Sequence, residues 1–273
     1  MNPLSVGICT QTPLLKFDPP AESTATVGGN GATASGVVAK RTHKLTPGGV
    51  CRMVLPTLRT WAHNGQLREA HWLSLQPNAP SVLAYDGLPL DIHHLTLPAA
   101  ELAAYARTKE KLWADIHGLP APEWGVDDFR FYARFNWFNA DTLLENSRGL
   151  DVAYIHDFQL LQTGALVGLA APSVLRWHVP FDPARIPPYT RNFLVRMMED
   201  FDAVVVSTRR DLEGLLNAGF HGHARQLYPH IDSREWPDVT PAQIVELEER
   251  WGLRADDPLI LLVARMEIGR AHV

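Results

Sequence analysis

Residues 151–157 read D-V-A-Y-I-H-D, a β-branched and aromatic run too short for a helix that stops at a histidine and a carboxylate. An apolar segment with no proline and the length of a helix, residues 158–169, comes next. A strand followed by a helix is the unit of an open parallel α/β sheet, and such sheets bind ligands outside the carboxyl ends of their strands. The pattern therefore predicts that His156 and Asp157 face a crevice at a sheet edge. A strand-end aspartate that caps the following helix is the competing structural reading, and the rest of the chain bears on the choice.

Residues 173–179, S-V-L-R-W-H-V, predict a second strand ending in a histidine, which brings His178 to the same edge. Residues 4–10 read as a first buried strand, and residues 203–207 as another, with Ser207, Thr208 and Asp211 opening a helix. Runs at 71–75, 81–85 and 92–97 supply further strands, the last two joined at Asp86-Gly87 by a hairpin turn. Helices are predicted over 99–117, 127–146 and 189–199. The second carries Phe129, Phe131, Tyr132, Phe135, Trp137 and Phe138, a density that points to core rather than to sugar stacking. Pro47, Gly48 and Gly49 precede an amphipathic pattern, Val50, Met53, Val54, Leu58 and Trp61, that ends at His63-Asn64-Gly65. Two glycines at a helix start let a diphosphate approach exposed N–H groups and the positive end of the helix dipole, although a plain turn needs the same residues. The glycine cluster at 27–31 is no phosphate-binding Walker loop, because no G-K-[ST] closes it; it reads as a loop.

Composition excludes several classes. With 273 residues, 46% of them hydrophobic, the chain can bury one large or two smaller cores. A net charge of -5 and no long basic run argue against nucleic-acid binding. Cys9 and Cys51 form neither a disulfide framework nor a zinc knuckle, which fits a reducing cytoplasm. The segment after Met1 lacks a basic region and is interrupted by Thr10, Gln11 and Pro13, so no secretory signal is read, and no run has membrane-spanning length. His93-His94 and His221-Gly222-His223 lack supporting ligands for a metal and read as exposed or loop histidines. No motif shows the paired carboxylates of a glycosidase.

Residues 233–239 are polar and read as a linker, after which Thr240, Pro241 and Gln243 form a capping box for a helix ending at Trp251-Gly252. Residues 259–264 are a fully apolar strand ending at Arg265-Met266. The expected organisation is a first domain over 1–232, a linker over 233–240 and the start of a second domain over 241–266.

Five pieces in order carry a resemblance: P-G-G-V at 47–50, Y-I-H-D-F-Q at 154–159, R-W-H-V-P-F at 176–181, F-D-A-V-V-V-S at 201–207 and L-L-V-A-R-M at 261–266. Together they resemble the retaining GT-B glycosyltransferases, nearest to trehalose synthases of the glycosyltransferring type. The H-D-F-Q-L and H-V-P-F pieces are similar to trehalose-6-phosphate synthases as well. The resemblance implies an α/β fold of two Rossmann-like domains across a cleft, with the acceptor-side domain and only the beginning of the donor-binding domain in this chain. It implies transfer of a glucosyl group, with retention, from a nucleoside diphosphate sugar to a small glucose-like acceptor, without a metal or further cofactor. By motif, His178 would contact the transferred sugar and Asp157 the acceptor hydroxyls, with His156, Gln159 and Arg176 as further substrate ligands. Gly48, Gly49 and Arg265 would meet the donor diphosphate, where a planar bidentate cation suits the leaving group. The family's lysine five positions after that arginine is replaced by Arg270. Residues 267–273, E-I-G-R-A-H-V, resemble the translation of a sequencing adapter, so the genuine sequence is expected to end near Met266 and this piece to be inactive alone. A non-catalytic sugar-binding half-domain and a GT-B enzyme with another acceptor stay open, as do the donor base and a homodimeric assembly.

Overall fold

A computed structural model describes residues 2–17, 43–77, 79–147, 149–235 and 238–254. The chain divides into a unit over Met1–His230 and a second over Ile231–Val273. The first holds strands β1 (Leu4–Cys9), β4 (Leu67–Leu75), β5 (Val82–Ala84), β6 (Leu90–Leu95), β7 (Val152–His156), β8 (Ser173–Arg176), β9 (Ala203–Val206) and β10 (Ala224–Gln226), and a ribbon of β2 (Leu15–Phe17) and β3 (His43–Leu45). Its helices are α1 (Gly49–His63), α2 (Ala99–His117), α3 (Val126–Asn146), α4 (Thr163–Val167), α5 (Pro188–Met198) and α6 (Arg209–Asn217). Eight strands form one sheet in the order β10-β9-β8-β7-β1-β4-β6-β5, parallel throughout except for the β5–β6 hairpin.

Period-two alternation sends successive side chains to opposite faces, and both faces are covered, which is why the strands read as continuous apolar runs. Val6, Ile8, Trp72 and Ile92 pack with Leu55 and Leu58 of α1. Cys9, Leu73, Ala153, Ile155, Leu175 and Trp177 join Tyr132 and Phe135 of α3 in the opposite core. The chain builds outward from β1 through β4 and β6, then returns to lay β7 on the other side of β1. That reversal makes the β1–β7 pair the switch point of the sheet, the place where open α/β sheets bind ligands, with Thr10 and Asp157 just past the strand ends.

The hairpin turns at Gly87, whose φ of 79° suits glycine, and α2 and α3 lie within a residue of their expected bounds. Three expectations are corrected. Residues 158–169 form a 3-10 turn over Phe158–Leu160, α4, and a second 3-10 turn over Gly168–Ala170 rather than one helix. Phe158, Leu160, Leu161 and Thr163 are all sunk in the core, and a Cβ on Gly164 would come within 2.8 Å of the Phe201 ring, so packing overrides helix length. The strand expected over 173–179 ends at Arg176. His93 and His94 are neither exposed nor on a loop; both are buried in β6, with His93 Nε2 lying 3.2 Å from His71 Nδ1.

The second unit carries α7 (Pro241–Trp251), opened by a capping box in which Thr240 Oγ1 accepts the Gln243 N–H at 3.3 Å. The strand expected at 259–264 and Arg265 lie outside the described residues. Among the described residues no helix is long and apolar enough to cross a membrane.

Candidate functional site

β7 and β8 pair in parallel with His156 opposite Arg176. The Trp177 N–H still donates to the Val205 carbonyl at 2.9 Å, and beyond it the chain turns across the strand ends. This delivers His178 onto His156: Nδ1 of His156 is 2.9 Å from Nε2 of His178, with the rings 9° from parallel. The rings therefore share one hydrogen bond, one nitrogen donating and the other accepting.

Asp157 follows with φ 69° and ψ 177°, a region that is nearly glycine-only. It has the only positive φ of any non-glycine among the described residues. Such strain costs about 1–3 kcal/mol and concentrates at functional sites. The turn is held on all sides. The Asp157 N–H donates to the Arg176 carbonyl at 2.9 Å, and the Asp157 carbonyl accepts from the Leu160 N–H at 3.3 Å. The Asp157 carboxylate faces the His178 N–H at a long 3.5 Å. From α3, the Tyr132 hydroxyl donates to the Phe158 carbonyl at 2.6 Å. Asn136 Nδ2 donates to the Gln159 carbonyl at 3.1 Å, and its Oδ1 accepts the Gln162 N–H at 2.9 Å.

Burial controls the charges. It pushes the Asp157 carboxyl up to about 7, against two backbone N–H groups, of His178 and Phe158, that pull it down. It also brings His178 down to about 4, with the Arg176 charge acting in the same direction. His156 falls well below the usual histidine range by burial, then by the neighbouring His178 and Arg176. Burial thus favours the neutral form of both imidazoles and disfavours ionisation of the carboxyl beside them.

Three of the expected site residues, His156, Asp157 and His178, meet at one sheet edge. Asp157, Gln159 and His178 are half-buried. His156 and Arg176 are buried, at 1% and 0% exposure. Gly48 is the N-cap of α1 and is buried, Gly49 is exposed with open space where a Cβ would stand, and no side chain caps this helix start. Tyr132 and Asn136, which hold the Asp157 turn, were not singled out for that role; a buried asparagine in an aromatic-rich helix is the signal that marks Asn136. Among the described residues no group of three or more His, Cys, Asp or Glu side chains could hold a metal.

No protein-family model matches the chain, and no curated protein matches it in sequence. Solved structures do match. A trehalose-6-phosphate synthase from E. coli bound with UDP-2-fluoro glucose superposes with a TM-score of 0.62 at 16% identity, covering 91% of this chain and 54% of that one. A UDP-forming α,α-trehalose-phosphate synthase from Burkholderia xenovorans in complex with glucose-6-phosphate gives 0.56 at 17% identity, covering 90% and 52%. A trehalose-6-phosphate synthase studied with bisubstrate glycomimetics gives 0.59 at 20% identity, covering 75% and 52%. The chain spans about half the length of these structures, and the likeness is one of fold, that of a Rossmann-like α/β domain.

Proposed function

We propose that this chain supplies the acceptor wall of a retaining glucosyltransferase, moving glucose from a nucleoside diphosphate sugar to glucose or a glucose phosphate. The observation that carries the reading is the meeting of His178, His156 and the strained Asp157 at the switch point of a trehalose-phosphate-synthase-like sheet. Activity is proposed for this unit facing a nucleotide-sugar domain, with Arg265 and the start of α1 at the diphosphate.

In this mechanism the bond from the anomeric carbon to the donor phosphate breaks as the bond to the acceptor oxygen forms on the same face. The acceptor's proton passes to the departing phosphate oxygen, so no protein carboxylate is needed as nucleophile. Neutral His178 hydrogen-bonds a hydroxyl of the transferred sugar, its other nitrogen fixed by His156. Asp157 orients the acceptor hydroxyl, and the exposed N–H groups at Gly49 stabilise negative charge developing on the leaving diphosphate. A domain that binds the acceptor sugar without turnover is the second reading.

The test incubates this unit joined to a nucleotide-sugar domain with UDP-glucose and either glucose or glucose 6-phosphate and reads the product by NMR. An α-linked glucoside is the expected product. Hydrolysis alone, or an inverted linkage, refutes transfer with retention. Titrating this chain with each acceptor while following the His178 ring resonances tests the wall itself, and no response to either sugar removes the acceptor from this edge.

A further inference from the structure

Arg176 ends β8 with a fully buried side chain, and among the described residues no carboxylate forms an ion pair with it. Arginine keeps its charge in proteins, and a buried charge without a counter-ion is costly. Its Nη2 donates to the Leu227 carbonyl at 2.7 Å and its Nη1, more weakly, to the Val206 carbonyl at 3.4 Å, while Nε has no acceptor. The backbone continues the tie: Leu227 N–H donates to Val206 at 3.0 Å, and the Arg176 carbonyl accepts the N–H of Asp157. One residue thus touches the ends of four strands.

A clamp on two carbonyls needs donors, but it does not need a permanent charge with an unused donor. The charge has neighbours to act on. His156 stands opposite it in the β7–β8 register and holds His178 at 2.9 Å, and the other titratable groups around the pair are Tyr154, whose ring meets His156 edge-on at 4.4 Å, and Asp157. We propose that Arg176 is a positioning residue: its buried guanidinium ties the ends of β8, β9 and β10 together and, as a fixed positive charge, keeps His156 and His178 sharing a single proton. The role rests on the reading of His178 as the residue that faces the sugar. Burial and this charge act in the same direction on both rings, burial being the larger. The paired rings hold His178 in one orientation, which is lost when a proton enters on the acceptor nitrogen and turns it into a donor.

The experiment follows the imidazole resonances of His156 and His178 by ¹⁵N and ¹³C NMR against pH in the unaltered chain, in Arg176→Met and in Arg176→Lys. Two neutral rings at pH 7 are expected in the unaltered chain, and an imidazolium there overturns the proposal without any variant. Arg176→Met should move the His178 midpoint upward from about 4 toward the ordinary histidine value, whereas Arg176→Lys, keeping charge but losing the fork, should stay near the original. A folded Arg176→Met with an unchanged midpoint reduces Arg176 to a clamp. None of these readouts uses a donor sugar, so failed glucosyl transfer would sink the proposed reaction and leave the electrostatic result standing.

Discussion

Asp157 places two opposing demands on the same few atoms. Its backbone sits where glycine belongs, and its carboxyl is raised from 3.8 to about 7 by burial. A carboxyl raised on folding adds stability that is complete below pH 3.8 and is lost as pH climbs to about 7. His178, lowered from 6.5 to about 4, does the reverse: its contribution is present above 6.5 and is lost as pH falls toward 4. Between those limits Asp157 opposes His178 and other buried histidines lowered in the same way, His156 and His93, so it makes the loss of stability on acidification shallower than the histidines alone would make it. Asp157→Asn removes the opposing slope and keeps those of the histidines. Its melting temperature should therefore fall more steeply than that of the unaltered chain on acidification from pH 6.5 to 4, as read by circular dichroism; parallel profiles would show that the carboxyl is not raised. The same substitution should weaken acceptor binding and slow transfer together, since an orienting group acts in both states. An Asp157→Asn protein with unchanged kinetics would place the residue outside the site.

At the scale of elements, the turn after β7 separates what the chain reveals locally from what it does not. The strand, the His-Asp pair at its end and the lengths of α2 and α3 are legible from β-branched runs, turn residues and periodicity. The hairpin at Asp86-Gly87 is legible for the same reason. The segment 158–169 is not, because its polar backbone groups are satisfied by Tyr132 and Asn136, more than twenty residues away in sequence. The contact of His156 with His178 also depends on a register and a bend no local pattern encodes, while β10, with three residues, is too short to announce itself. Asn136→Leu removes hydrogen bonds to the Gln159 carbonyl and the Gln162 N–H from a buried site; it should cost about 1–3 kcal/mol in chemical denaturation. It should also loosen Asp157, seen as faster amide exchange at residues 157–162. At the start of α1 the two glycines should separate. An alanine Cβ at Gly48 would lie 2.9 Å from Thr12 Cγ2, whereas one at Gly49 meets nothing. Gly49→Ala should thus leave stability unchanged or raise it by up to about 1 kcal/mol, while weakening nucleotide-sugar affinity by narrowing the approach to the helix N–H groups. Unchanged donor affinity in calorimetry would move the diphosphate away from this helix.

For the whole molecule the question is where the stability resides. Both hydrophobic cores draw their buried side chains from residues within the first unit, between Val6 and Phe220. The last strand of the sheet is β10, and Arg176 ties Leu227 to its neighbours just before the unit ends at His230. In the second unit no residue of α7 is buried: Ile244 and Trp251 are 47% and 54% exposed. A helix that buries no apolar face adds little to stability beyond its own marginal propensity. A chain ended at His230 should therefore unfold cooperatively within about 2 °C of the full sequence, because for a domain of this size each kcal/mol moves the midpoint by about 2–4 °C. It should keep the neutral His156–His178 pair and its response to an acceptor sugar, since every described group of that edge stays in place. A drop of more than about 5 °C, or a broad transition, would mean that residues after 230 complete the first core. In that case the acceptor edge could not be studied apart from them.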